Sequence, residues 1–584
     1  MCGIAGLMYK SSKKPPKESL QKLAQALHHR GPDDHGILIK DSTALVHTRL
    51  SIIDLEGGHQ PLVDDQGLFL IVNGEIYNHL ELKRELKDYP FKTASDCEPI
   101  LPLYRRYGLD FVKHLRGMYG LALYDSKEKS LILARDSFGI KPLYYIETPE
   151  FFAFSSEPQA FFASHLIEPR VDPSVRSEVL QLRYTALEKT IFVNVYRLLP
   201  GELMVVKEGR VVEKKRQQAL SQVDTKKVNE KEALKNFEQA LEESVNVHLR
   251  SDVPYGLFLS GGLDSASILS MMKRHSTTPI LTYTVGFSGT KVHDEREQAK
   301  LLATHFKTQH QEINFGKEDF WSLLPLVAAS VDDLQIDMAS LPTFKLAEIA
   351  KRDVKVVLCG EGGDEMLAGY GRYRKTKFPK WLGGRITREK GSFDKAGYGR
   401  YIGDSWKKQL TMIEQQETLS HRSKMQIAQA VDCATWLANG LLIKLDRCLM
   451  ANSLEGRTPF LDSVVERHTY GLSDKLKVSK GQGKWILRKW LSQNVPEAQP
   501  FAKKRGFTVP VGEWIFEKSD RLFPLVARQE GIQEVFPLEV VKTIFLSRDK
   551  HSQFVAWTLL FYAVWHQIHV LRKPVERDVF SMLA

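Results

Sequence analysis

A cysteine stands second in the chain, in Met1-Cys2-Gly3-Ile4. Removal of Met1 gives Cys2 its own α-amino group, and an amine with an unperturbed pKa of roughly 7.8 is partly free base at neutral pH. Such an amine can take the thiol proton, which makes a nucleophile that needs no histidine. Residues suited to hold an amino acid in front of it follow downstream. Arg49, in His47-Thr48-Arg49-Leu50-Ser51, can grip a carboxylate with two hydrogen bonds. Asn73 and the backbone N–H of Gly74, in Val72-Asn73-Gly74-Glu75-Ile76-Tyr77-Asn78, can form an oxyanion hole. Glu75 and Asp96 can hold an α-ammonium. Together they describe a pocket for a free amino acid whose side-chain amide carbon meets the Cys2 thiol.

A second set of residues suits a nucleotide. Residues 255–259 read as a buried strand that runs into Ser260-Gly261-Gly262-Leu263-Asp264-Ser265 and then a helix over 266–273. A glycine-rich turn between strand and helix is an anion site, because free N–H groups and the helix dipole point at the ligand. No GxxxxGK[ST] sequence is present, which excludes the phosphate loop of common NTPases. Ser-Gly-Gly-x-Asp-Ser resembles the pyrophosphate loop of N-type ATP pyrophosphatases, which implies cleavage of ATP to AMP and pyrophosphate. Cys359-Gly360-Glu361-Gly362-Gly363-Asp364-Glu365 follows a strand expected over 354–358, at the strand end where ligands gather in open parallel sheets. Its crowded carboxylates are explained by Mg²⁺ held between Asp264, Asp364 and the phosphates. Glu361 is then left to orient or deprotonate an attacking amine. Lys504, in Lys503-Lys504-Arg505-Gly506-Phe507, is a candidate cation for the oxyanion formed during adenylation and amine attack.

Two kinds of element must position these groups. Short β-type runs at 44–46, 68–72, 120–124, 130–134 and 151–155, broken by Gly, Pro and Asp turns, predict a β-rich domain over 2–206. Residues 207–230 are charged and Gln-rich without a clear period, and read as a linker. From 231 to 584 a helix over 232–249 leads into strands at 255–259, 279–285, 309–313 and 354–358. Helix-length segments separate them, which is the pattern of a doubly wound parallel sheet. The remainder beyond about 400 reads as mainly helical.

Composition narrows the function classes. The chain has 584 residues, too many for one hydrophobic core, and its five cysteines lack CxxC spacing, so neither a disulfide framework nor a zinc knuckle is suggested and a reducing compartment fits. No run approaches the roughly 18 apolar residues of a membrane span. The apolar start is followed by Lys10, Lys13 and Lys14, the reverse of a signal peptide, so cytoplasmic residence is expected. The formal net charge is +11, but the basic residues recur along the chain, which reads as a solvated basic surface with no nucleic-acid or membrane partner.

The assembled motifs resemble the class II, glutamine-hydrolysing asparagine synthetases from Cys2 to about residue 515. His29-Arg30-Gly31-Pro32-Asp33, Asn73-Gly74-Glu75-Ile76-Tyr77-Asn78, Ala134-Arg135-Asp136-Ser137-Phe138-Gly139-Ile140-Lys141-Pro142 and Phe154-Ser155-Ser156-Glu157 look like that family's glutaminase domain. The Ser260 and Gly360 motifs, Lys444-Leu445-Asp446-Arg447 and Pro459-Phe460-Leu461-Asp462 look like its synthetase domain. The resemblance implies an αββα N-terminal nucleophile glutaminase joined to an adenine nucleotide α-hydrolase domain, with an internal tunnel for ammonia. It places glutamine on Cys2, Arg49, Asn73, Gly74, Glu75 and Asp96. ATP falls on Leu259, Ser260, Gly261, Gly262, Asp264, Ser265, Val285 and Gly360, and synthetase catalysis on Glu361, Asp364 and Lys504. Glutamine, aspartate and ATP are the implied small molecules, and a homodimer is compatible with it. Departures fall near the acceptor end, where Asp332-Asp333-Leu334 replaces an Asp-Glu-Pro type of sequence and Cys359 stands where Ser is common. Amidation of another carboxylate, such as a sugar acid or secondary metabolite, is the alternative.

Overall fold

The computed structural model describes residues 2–220, 228–288, 294–418, 421–503 and 509–584. The N-terminal part carries β1 (Cys2–Tyr9), β2 (Asp34–Lys40), β3 (Thr43–Arg49), β4 (Leu62–Val63), β5 (Leu68–Ile76), β6 (Gly117–Asp125), β7 (Ser130–Arg135), β8 (Tyr144–Glu147), β9 (Phe151–Ser155), β10 (Tyr196–Arg197), β11 (Glu202–Lys207) and β12 (Arg210–Arg216). They form two six-stranded sheets, in the orders β10-β8-β9-β1-β3-β2 and β12-β11-β7-β6-β5-β4. All their pairings are antiparallel.

β1 shows why this part reads poorly as alternating strands. Ile4 and Met8 point into the core between the sheets, with Leu45, Ile71, Leu133 and Phe154, while Ala5, Leu7 and Tyr9 point the other way into the layer with helix Lys17–Ala26. A strand covered on both faces is apolar throughout, so its sequence loses the period of two. Helix Ile100–Tyr107 covers the outer face of the second sheet over Leu70, Val72, Leu121 and Leu123. The result is the expected αββα sandwich.

The expected linker over 207–230 is corrected at its N-terminal end. Residues 210–216 form β12, paired with β11 from Lys207↔Arg210 to Glu202↔Arg216. Its run of Lys and Arg conceals the strand, but charged side chains suit an outer edge strand, where they discourage pairing with another chain.

The second part is built on five parallel strands, β13 (Tyr255–Phe258), β14 (Leu281–Gly286), β15 (Gln309–Asn314), β16 (Val356–Leu358) and β17 (Glu455–Arg457), in the order β15-β14-β13-β16-β17. Helices Glu230–His248, Leu263–His275, Arg296–Phe306 and Ser340–Ala350 flank it. The remainder is helical and is centred on Lys550–His569, whose Trp557, Leu560, Phe561 and Val564 are fully buried or nearly so. The five cysteines are buried free thiols.

Two candidate active sites on one chain

The first site forms where β1, β3 and β5 meet. Antiparallel pairing puts Cys2 opposite Arg49, and the Cys2 N–H lies 3.2 Å from Asn73 Oδ1. Burial pushes the Cys2 thiol above its usual range, with nearby Arg49 pulling more weakly the other way. The thiolate is therefore not preformed, and a base must take its proton. Asn73 Nδ2 is buried without a hydrogen-bond partner among the described residues, a donor ready for an oxyanion. Arg49 is held by the carbonyls of Leu55 at 3.2 Å, Ile53 at 3.3 Å and Asp54 at 2.5 Å, so part of its guanidinium fastens the adjoining loop.

Glu75 and Asp96 are 4% and 5% exposed. Burial, then Glu455 and Asp96, hold the Glu75 carboxyl well above its usual range, and burial also raises Asp96 despite the Ile76 N–H donated to it at 2.7 Å. An arriving ammonium would offset this crowding of negative charge. Sequence reasoning missed that Arg457 of β17 reaches in from the other half of the chain, 3.3 Å from Glu75 and 2.6 Å from Glu455.

The second site lies at the C-terminal ends of β13, β14 and β16. Ser265 Oγ donates to the Ser260 carbonyl at 3.1 Å and accepts the Ser260 N–H at 3.2 Å, while Ser260 Oγ accepts the Gly262 N–H at 3.1 Å. Both serines thus staple the loop that starts helix Leu263–His275. A Cβ on Gly363 would lie 2.5 Å from Asp264 Oδ1, so glycine lets the second motif close against the first. Two adjoining cavities of about 450 and 640 Å³ share Ser260, Asp264 and Asp364. Leu259, Ser265, Val285, Gly360, Glu361 and Lys444 line the first, and Gly261, Gly262, Lys484 and Arg488 the second. All eight residues expected to meet ATP therefore line one or both of these adjoining cavities.

Lys484, missed in the sequence, sits between the two expected metal carboxylates, 2.5 Å from Asp264 and 2.8 Å from Asp364. Although burial opposes its charge, the two aspartates raise its pKa further above the usual ammonium range. Its only signal was the turn Gly481-Gln482-Gly483 ahead of a helix. Among the described residues no group of three or more His, Cys, Asp or Glu side chains is placed to hold a metal ion. Glu361 lies 3.8 Å from Lys444 Nζ. Lys504 lies outside the described residues.

Helix Leu442–Met450 joins the sites. Its Lys444 faces Glu361, whereas Asp446 accepts from Arg30 at 2.8 and 3.1 Å. Arg30 also donates to the Cys2 carbonyl at 3.1 Å and to Glu157 at 2.6 Å. Arg447 pairs with Asp332 at 2.7 Å, and Arg197 with Asp333. The Asp332-Asp333 departure thus belongs to this buried seam.

Comparison with known proteins agrees with both halves. A glutamine amidotransferase domain model matches residues 1–217 and an asparagine synthase model residues 236–567. The chain is 32% identical to glutamine-hydrolyzing asparagine synthetase 1 of Bacillus subtilis, over 99% of this chain and 98% of that protein. It is 34% identical to a putative glutamine-hydrolyzing asparagine synthetase 2 of Methanocaldococcus jannaschii, over 65% of this chain and 79% of that protein. Identity to asparagine synthetase B of Escherichia coli is 29%, over 92% and 86%. The two halves define an ATP-dependent carbon–nitrogen ligase that uses glutamine as nitrogen donor. Within that class, the chain belongs to the glutamine-hydrolysing asparagine synthetase family.

Proposed function

We propose that the chain converts aspartate, glutamine, ATP and water to asparagine, glutamate, AMP and pyrophosphate, with residues 2–216 as the glutaminase and 231–584 as the synthetase. Cys2 Sγ attacks the glutamine amide carbon while the α-amine, free once Met1 is removed, takes the thiol proton and passes it to the departing ammonia. Asn73 Nδ2 and the Gly74 N–H bind the oxyanion, Arg49 the α-carboxylate, and Glu75 and Asp96 the α-ammonium. Water then releases glutamate from the thioester.

In the second site an aspartate β-carboxylate oxygen attacks the α-phosphorus and expels pyrophosphate. Ammonia, carried internally from the first site, attacks the acyl carbon of β-aspartyl-AMP and expels AMP, with Glu361 taking the surplus proton and Lys504 as the candidate cation for the oxyanion. Asp264 and Asp364 suit Mg²⁺ shared with substrate phosphates, since that ion is commonly held by one or two carboxylates, and it would neutralise phosphate charge there. The observation that carries the reading is helix Leu442–Met450, which meets Glu361 through Lys444 and the Cys2 strand through Asp446 and Arg30. Cys2→Ala is expected to abolish synthesis from glutamine and to retain synthesis from added ammonia. Equal loss with both nitrogen donors would count against two separable sites.

A further inference from the structure

The net charge of the chain is not spread over it. Between Arg372 and Lys408 there are twelve Lys and Arg against three Asp and Glu, so nine of the eleven net positive charges fall in this one segment. The expectation of an evenly basic surface averaged over this local excess.

The segment is anchored from within and polar outside. Tyr373 and Phe393 are fully buried and Trp406 packs with Leu410 and Ile413, while Arg374, Lys375, Lys377, Arg385, Lys390, Lys395, Arg400 and Lys408 are exposed. Among the described residues, carboxylate partners are found for Arg372, Arg385 and Lys407. Amid these cations the turn Lys380–Leu382 carries Trp381 and Leu382 at 81% and 56% exposure, with Phe378 at 51% beside them. Scattered exposed apolar residues need no explanation, but three large ones between positions 378 and 382 within a cationic field do.

We propose that residues 372–408 form a docking surface for an anionic lipid bilayer. Lys and Arg are drawn to the negative headgroup layer, while Trp381, Phe378 and Leu382 enter the boundary between headgroups and acyl chains. Leu382 favours lipid over nucleic acid, because an aliphatic side chain gains from hydrocarbon but has no π face for a base to stack on. Docking would leave the synthetase cleft beside the bilayer. Arg374 donates to the Gly481 carbonyl at 2.5 Å and Lys377 to that of Val478 at 3.1 Å, tying the surface to the loop that leads to Lys484.

The test is co-sedimentation of the full chain with vesicles of phosphatidylcholine alone or with about 30% phosphatidylglycerol. Binding is expected only to the anionic vesicles, and it should weaken on raising salt from about 0.1 to 0.5 M. Trp381→Ser with Leu382→Ser, and separately Lys375→Glu with Lys390→Glu, should each lower the partition constant roughly tenfold. The far-UV circular dichroism and the thermal midpoint should be unchanged in both variants, which shows that they fold. Absence of vesicle binding, or equal binding to neutral vesicles, overturns the proposal. So does an oligonucleotide complex, or a dimer of this chain, that the Trp381 variant dissolves in place of vesicle binding.

Discussion

Asn73 uses one end of its amide within the fold, accepting the Cys2 N–H through Oδ1 and leaving Nδ2 buried without a described partner. A buried orphan donor is costly unless something arrives to use it. Asn73→Ala is expected to lower glutaminase kcat by about 10²–10³ with a smaller change in KM, because the lost bond matters most as the oxyanion forms. An equal effect on KM alone would make Asn73 a ground-state binder. Lys484 has a different task, since it separates Asp264 from Asp364. Lys484→Met removes the ammonium that bridges Asp264 and Asp364 at the nucleotide cavities, so pyrophosphate release from ATP and aspartate should be lost while glutaminase activity persists. Loss of both activities would make Lys484 a structural residue. The motif residues were legible because glycines and carboxylates at fixed spacing constrain the backbone locally. Lys484 and Arg457 were not, because their partners are remote in sequence and only the fold brings them together.

On helix Pro173–Leu182, Glu178 is buried, accepts the Ala186 N–H, and is pushed by burial up to about 7. An unfolded Glu titrates near ~4.3. The folded chain therefore retains this proton where the unfolded chain loses it. The stabilisation is complete below about 4.3 and is lost as pH rises through about 7. Glu178→Gln keeps an acceptor for Ala186 and removes the charge. The thermal midpoint should rise more at pH ~8 than at pH ~5.5, by up to about 3 kcal/mol in stability at the higher pH. The same gain at both values would contradict the assignment. At this scale, β5, β6, β7 and β9 were readable from apolar runs bounded by turns. β1 lost its alternation because both faces are covered, and β12 was hidden by the charge that suits an edge strand. β17, a short parallel strand between a helix and the Pro459 turn, offered too few residues to show a period.

Across the molecule, the glutamine and ATP halves meet through buried ion pairs. Arg30, Glu157, Asp446 and Arg447 are all within 4% exposure, and breaking such a network leaves uncompensated charge. Asp446→Ala removes the partner through which helix Leu442–Met450 holds Arg30 and, through it, the Cys2 carbonyl. It should let ammonia escape, so that glutamate released per asparagine rises above one while glutaminase turnover changes little. An unchanged ratio would show that Asp446 has no part in coupling. Two-domain organisation was legible from the change of pattern near residue 230, but the seam was not, because the arginines that pair with Asp332 and Asp333 are remote from them in sequence. The central claim is that both sites serve one reaction. It is tested most directly by mixing Met-processed protein with glutamine, aspartate and Mg-ATP and measuring asparagine, AMP, pyrophosphate and glutamate together. Equal amounts of all four are expected, and glutamate release without asparagine or pyrophosphate would contradict the account.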